Sequence, residues 1–302
     1  MLEVLTRAGC FVAIILLGFS LKKIGVFKDS DFSVLSTIVL KITLPASIVV
    51  NFANKSIDFS MFTITLLGFV FGLVYMIIGF IINHKNSKQQ CAFEVLNLPG
   101  YNIGCFAMPF AQSFLGATGV ITTSLFDIGN AFVCLGGSFS IAKTIKDGGK
   151  LSVGRILKTL SKSVPFLSYI IMLILCATHV QLPEVITTFA GMIANANAFM
   201  AMLMIGVGFK LTANKSQLGK ICKIVSIRYL IALLLALFIY FILPFAADVQ
   251  KTLILLAFSP IGAAVPSFTE QLKEDVGLSS AINSICIICS IVFMVIILGI
   301  IP

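Results

Sequence analysis

Charge is what this chain has least of. Asp, Glu, Lys and Arg together make up 11% of its 302 residues, histidine appears twice, and no polar run is long enough to form a soluble domain. With 59% hydrophobic residues and a mean hydropathy of +1.09, these shortages exclude a soluble globular protein and point to an all-α polytopic membrane protein. The absence of a Walker sequence argues against direct nucleotide-driven pumping. An intramembrane aspartyl protease would need two facing aspartates, and Asp127 is the sole deep one. A serine protease would need a histidine at depth, whereas His84 and His179 fall at span ends. The two histidines are also poor metal ligands without partners, and Cys286-x-x-Cys289 sits in an apolar helix and reads as packing. No metal or cofactor is expected, and no disulfide framework.

Long apolar runs are plentiful. Ten candidate spans lie at about 4–21, 32–53, 59–82, 91–113, 118–142, 163–180, 183–209, 223–243, 251–270 and 278–301, each near the roughly 20 residues a crossing needs. The first is expected to be a retained helix, since no small-residue cleavage site precedes the second. The longest polar stretch, Lys143 to Lys162, ends in an amphipathic run. There Val153, Ile156, Leu157, Leu160 and Val164 fall at helical spacing opposite Arg155, Lys158 and Lys162, as in a helix lying among headgroups.

Basic residues set the orientation. Alternate loops hold Lys22, Lys23 and Lys28; Lys85 and Lys88; Lys143, Lys146, Lys150, Arg155, Lys158 and Lys162; Lys210, Lys215, Lys220, Lys223 and Arg228; and Lys273. The opposite loops and the N-terminal end hold Arg7, Lys55 and Lys251, while Lys41 lies inside a span. The Lys-rich side is cytoplasmic by the positive-inside rule, so both termini are expected to be extracytoplasmic. The net charge of +9 then reflects topology and anionic lipid, not nucleic acid.

A faint repeat appears on sliding the chain by about 158 residues, which maps spans one to five onto six to ten. An odd number of spans per repeat inverts the second half. The expected organisation is two inverted five-helix repeats, residues 1–145 and 146–302. Within them Leu98 to Phe110 (LPGYNIGCFAMPF) and Ser259 to Phe268 (SPIGAAVPSF) carry prolines and glycines where a spanning helix should be uninterrupted. A proline removes a backbone bond that lipid cannot replace, so helices four and nine are expected to be broken and to meet at a midplane site. The register places Asn102 on Pro260.

Polar residues deep in the spans are the candidate site residues: Lys41, Asn102, Asp127, Asn130, Asn195, Asn197 and Ser259, with Pro109 and Pro260 at the breaks. A charge at that depth costs about 3 kcal/mol or more, so Lys41 and Asp127 are functional or paired. Lys41 either neutralises an anionic substrate or pairs with Asp127, the pair being the favoured reading. Asn102 and Asn130 offer amide donors to a carboxylate. Glu94 and Glu270, near the cytoplasmic ends of spans four and nine, are capping groups or an inner gate.

Leu44-Pro45, Asn102-x-Gly104-x-x-x-x-Pro109, Phe126-Asp127-Ile128-Gly129-Asn130, Ile205-Gly206 with Leu211, and Ser259-Pro260 together resemble the auxin efflux carrier family. The resemblance implies ten helices, a scaffold (helices 1, 2, 6 and 7) and a transport unit (helices 3–5 and 8–10) with crossing broken helices. It also implies export of small organic anions; bacterial members resemble dicarboxylate permeases. The long loop that many plant carriers have between spans five and six is missing, which weighs toward a microbial, non-auxin carrier. Pro260-Ile261-Gly262 has no asparagine beside the proline, so a symmetrical asparagine pair is not expected.

The function expected is secondary active transport of a small organic anion, a carboxylate, across the cell membrane by alternating access. The alternatives are a sodium- or proton-coupled carrier on a related scaffold and a non-transporting receptor. The expected partners are the substrate anion and membrane lipid, with room for a homodimer. In a background without native cysteines, a cysteine at Gly148 is expected to react with an impermeant maleimide from the cytoplasmic side alone. Labelling from outside would invert the topology and the repeat with it.

Overall fold

The computed structural model describes residues 2–53, 55, 61–148, 151–210 and 215–301. Lys150, Leu211 and the beginning of the segment expected from residue 59 lie outside the described residues. The described chain is helical, without strands. It starts with α1 (Leu2–Lys23), α2 (Asp31–Ile38), α3 (Leu44–Phe52) and α4 (Phe62–Asn83). The pair α5 (Lys88–Asn97) and α6 (Met108–Phe114) is followed by α7 (Gly116–Phe132), α8 (Ser138–Asp147), α9 (Val153–Leu160) and α10 (Val164–Ala177). Then come α11 (Glu184–Ala194), α12 (Asn197–Gly208), α13 (Leu218–Ile242), the pair α14 (Ala247–Ala257) and α15 (Val265–Gln271), and α16 (Val276–Ile300).

Among the described residues, seven stretches are long and apolar enough to cross a membrane, or eight if α9 and α10, bent by 77°, count as one. The segments expected at 91–113 and 251–270 are instead each divided into two helices too short to cross. This is a multi-pass membrane protein with two interrupted segments.

Local chemistry explains where helices start and widen. Ser87, Ser152, Ser163 and Asp275 each accept a hydrogen bond from the N–H three residues on, capping α5, α9, α10 and α16. Pro45 has no N–H for the carbonyl of Lys41. The chain widens there into a π turn, Val39–Thr43, in which Leu44 N–H bonds Val39 O. The same device precedes Pro109, where Met108 N–H bonds Ile103 O.

The helices pack in two groups. In one, α1 lies on α12, and α3 on α10 and α11. In the other, α4 lies on α5 and α7, α5 on α8, α13 on α14, and α16 against α13 and α15. Each group contains a seam of small residues that lets backbones touch. A Cβ on Gly206 would strike Ile15 O, and one on Gly129 would strike Thr65 O.

One sequence assignment fails here. Arg228, counted with the loop bases although it falls inside the span expected at 223–243, is not a cytoplasmic loop residue: α13 begins at Leu218 and carries Arg228 fully buried near its middle. Lys223 likewise sits within α13, paired with Glu94.

The seams generate a test. Gly206→Val should lower stability by about 2 kcal/mol or more, because the backbone it meets cannot give way. Gly154→Val, with nothing within 4 Å of its Cβ, should melt within a degree or two of wild type in detergent.

Candidate functional site

The two breaks are built alike: a helix ends, a proline and a glycine follow, and a short helix with proline in its first turn resumes. In the first, Leu98-Pro99-Gly100 leaves α5, Gly100 adopts the left-handed φ of +79° that other residues resist, and Pro109 starts α6. In the second, Ser259-Pro260-Ile261-Gly262 separates α14 from α15, which has Pro266 in its first turn. The breaks meet directly, with Asn102 N–H donating to Pro260 O at 2.8 Å. That is the pairing the repeat register predicts.

Interrupting a helix frees backbone groups, and side chains take them up. Asn130 clasps Tyr101 at both ends: its Oδ1 accepts from Tyr101 N–H at 3.0 Å, and its Nδ2 donates to Tyr101 O at 2.9 Å. The guanidinium of Arg228 donates to Leu98 O at 2.5 Å, Gly100 O at 2.9 Å and Ser259 O at 2.7 Å, so one side chain of α13 holds both breaks. Its flat faces lie against Tyr75 and Tyr101, 5.1 and 5.4 Å from the ring centres, and Tyr75 Oη donates to the Arg228 carbonyl.

Beside the crossing lies a cavity of about 500 Å³. Its wall includes Lys41 and Leu44 from the first helix group, Asn102, Gly104, Asp127, Asn130 and Cys134 from the second, and Ala263 from the second break. Arg155, Lys158 and Lys162 of the α9 region line its mouth, and Tyr169 of α10 faces Asp127. A smaller cavity of about 270 Å³ flanks the crossing on its other side, against Met204, Lys210, Glu270, Asn283 and Ser284. Asn102 and Ala263 line both cavities. The Asn102 side chain, 5% exposed, makes no hydrogen bond to another described residue, so both its amide donors and its oxygen are available.

The electrostatics favour an anion. Among the described residues, the larger cavity is lined by four basic side chains and by one carboxylate, Asp127, whose oxygens already accept hydrogen bonds from Asn130 Nδ2 at 2.9 Å and Tyr169 Oη at 3.1 Å. A cleft with low-dielectric walls concentrates such a field.

The favoured pairing of Lys41 with Asp127 is therefore overturned. Lys41 is exposed to the cavity and forms no ion pair with a described residue, because the π turn before Pro45 directs it to the cavity rim while Asp127 is satisfied by neutral donors. Lys41, Asn102, Asp127 and Asn130 are brought together as candidates, although the amide of Asn130 is already shared between Tyr101 at the break and Asp127. Pro109, Ser259 and Pro260 shape the crossing without lining either cavity; Ser259 is fully buried and Pro260 lends its carbonyl to Asn102.

Glu270 is exposed in the smaller cavity. Glu94 lies elsewhere, buried and gripped by Lys223 Nζ at 2.8 and 2.9 Å, with Asn83 Oδ1 sharing the ammonium. Asn195 lines a separate cavity of about 440 Å³ with Asn51 and Gln112, and Asn197 accepts from Thr43 Oγ1. Sequence reading missed Arg228, Tyr169 and the inward use of the α9 bases. The signal for Arg228 was an arginine directly before an uninterrupted apolar run, Tyr229 to Phe238.

These contacts separate the residues by experiment. Lys41→Ala and Asp127→Asn should act additively on stability, with a coupling energy under about 0.5 kcal/mol in a double-mutant cycle, since the two are not partners. Asn130→Ala should cost about 1–3 kcal/mol, because it strands both backbone groups of Tyr101 in a buried position. Melting in detergent measures both; a large Lys41–Asp127 coupling would contradict the geometry.

No curated protein matches the chain. A family model described as membrane transport protein matches a little under half of it. Residues 10–152, which hold Lys41, the first break, Asp127 and Asn130, match this membrane transport protein family, which is of the auxin efflux carrier type.

Proposed function

We propose that the protein is a secondary active transporter that exports a small organic anion, a carboxylate, across the cell membrane by alternating access. The observation that carries this reading is Asn102. Its unengaged amide sits where two broken helices meet, between two cavities, in a field set by Lys41, Arg155, Lys158 and Lys162. Helices resume just beyond each break, and the N-terminal ends of such half-helices add partial positive charge without a full protein charge. A carboxylate bound by Asn102 would take the amide as donor and the lysine and arginine field as counter-charge.

The packing supports such a cycle. In this proposal α1, α2–α3, α10 and α11–α12 are the scaffold, and the remaining spanning elements carry the crossing past it. The halves 1–145 and 146–302 are inverted repeats, and both termini are extracytoplasmic. The larger cavity is mouthed by the basic α9 region, on the Lys-rich side, and so represents the inward-facing route. The cavity of Asn51, Gln112 and Asn195 lies at the ends of α3 and α6 remote from the Lys-rich loops, beside the junction of α11 and α12, and corresponds to the outward route. The α9 bases recruit anions from the cytoplasm, which suits export.

The test is binding first and movement second. Purified protein is screened by thermal shift against mono- and dicarboxylates, indole acids and amino acids, and hits are taken to counterflow in proteoliposomes. Asn102→Ala should weaken the binding of a carboxylate hit by about 10-fold or more, the worth of a charge-assisted hydrogen bond, while Asn195→Ala leaves it near wild type. A panel without a stabilising anion, or Asn102→Ala binding as tightly as wild type, would reject the site. Binding without counterflow would make the protein a receptor.

A further inference from the structure

Arg228 is fully buried in the middle of α13, and no carboxylate of a described residue meets it. It touches neither cavity, so it is not placed to contact a transported anion. Its partners are Leu98 O and Gly100 O, just past the C-terminal end of α5, and Ser259 O, just past that of α14. Helix C-terminal ends carry partial negative charge, and two of them aimed at one point make a site for a cation. In transporters with broken helices, such unwound carbonyls are where a coupling cation is held.

We propose that Arg228 is a built-in cation that occupies the place of a free monovalent one, so that the crossing is assembled without sodium or any other inorganic ion. The donor set defines the ion replaced. It consists of neutral oxygens, three backbone carbonyls with the buried and otherwise unpartnered Ser259 Oγ nearby, flanked by the faces of Tyr75 and Tyr101. Rings of carbonyls without carboxylates suit singly charged ions, whereas divalent ions gather acidic ligands. The side chain supplies the charge permanently, and its planar fork reaches both breaks at once, which a bare ion does without a tether. Arg228 is thus a positioning residue: it fixes the geometry of Asn102 through Gly100 and Ser259 and removes a cation-binding step from the cycle. This goes beyond the anion reading and does not depend on it.

The experiment needs no substrate, so its failure is distinguishable from failure of the anion site. Melting midpoints of detergent-purified wild type, Arg228→Ala and Arg228→Lys are measured in choline chloride, then with sodium, potassium or guanidinium exchanged in at constant ionic strength. Wild type should be indifferent to the cation. Arg228→Ala should melt lower in choline and recover about 5 °C or more, saturably, with guanidinium or one small alkali cation. Arg228→Lys, which keeps a tethered charge, should stay indifferent. Saturable sodium stabilisation of wild type would overturn the proposal, as would Arg228→Ala that folds yet responds equally to every cation. If Arg228→Ala cannot be recovered in any buffer, Arg228→Lys decides: indifference supports the proposal, and a midpoint that rises with sodium overturns it.

Discussion

A peptide group freed inside a hydrocarbon layer has no water to turn to, and each one left unpaired costs several kcal/mol. The crossing places two interrupted backbones at one point in the protein, so the whole arrangement depends on where those groups find partners. Asn102 N–H finds Pro260 O, Tyr101 finds both ends of Asn130, and the carbonyls of Leu98, Gly100 and Ser259 find one guanidinium. With these needs met by other groups, the Asn102 side chain is left unspent beside both cavities. The polar residues around the crossing thus include some that hold the break open, such as Arg228, some that face the cavity, such as Asn102, and Asn130, which does both. Depth in the membrane alone does not distinguish them.

That division marks the limit of what the sequence discloses. The breaks were legible because proline and glycine act on their own backbone, so Pro99, Gly100, Pro260 and Gly262 report a local event wherever the chain is packed. The meeting of Asn102 with Pro260 was legible because the two breaks fall at similar positions along their apolar segments. The partners of Asp127 were not, since a helix offers each residue a direction that only packing fixes. Tyr169 comes from α10, forty-two positions along the chain, and carries no motif. Arg228 was lost for a different reason. It was grouped with the neighbouring loop lysines by its charge, although it lies inside the span expected at 223–243 and ten residues past the start of α13.

The α9 region shows the same limit in another form. Its amphipathic period was readable, and Val153 and Leu157 are indeed exposed on one face. Which medium the basic face meets is a tertiary fact. With the 77° bend into α10, Arg155, Lys158 and Lys162 line the larger cavity, so side chains expected among lipid phosphates contribute their charge to a cavity.

The glycine seams carry a mechanical meaning. Gly18 and Gly206 bring α1 and α12 together backbone to backbone, and Gly68 with Gly129 does the same for α4 and α7; both seams lie inside a helix group. Where the groups face each other, the close approach is of another kind: Gly104 meets the end of the Leu44 side chain. A side chain yields to shear by changing rotamer, on a timescale far shorter than a domain motion, whereas interlocked backbones yield only by parting. Backbone-to-backbone contact therefore lies inside each group, whereas Gly104 and Leu44, which meet across the groups beside the cavity that Asn102 lines, do so through a side chain that can give way.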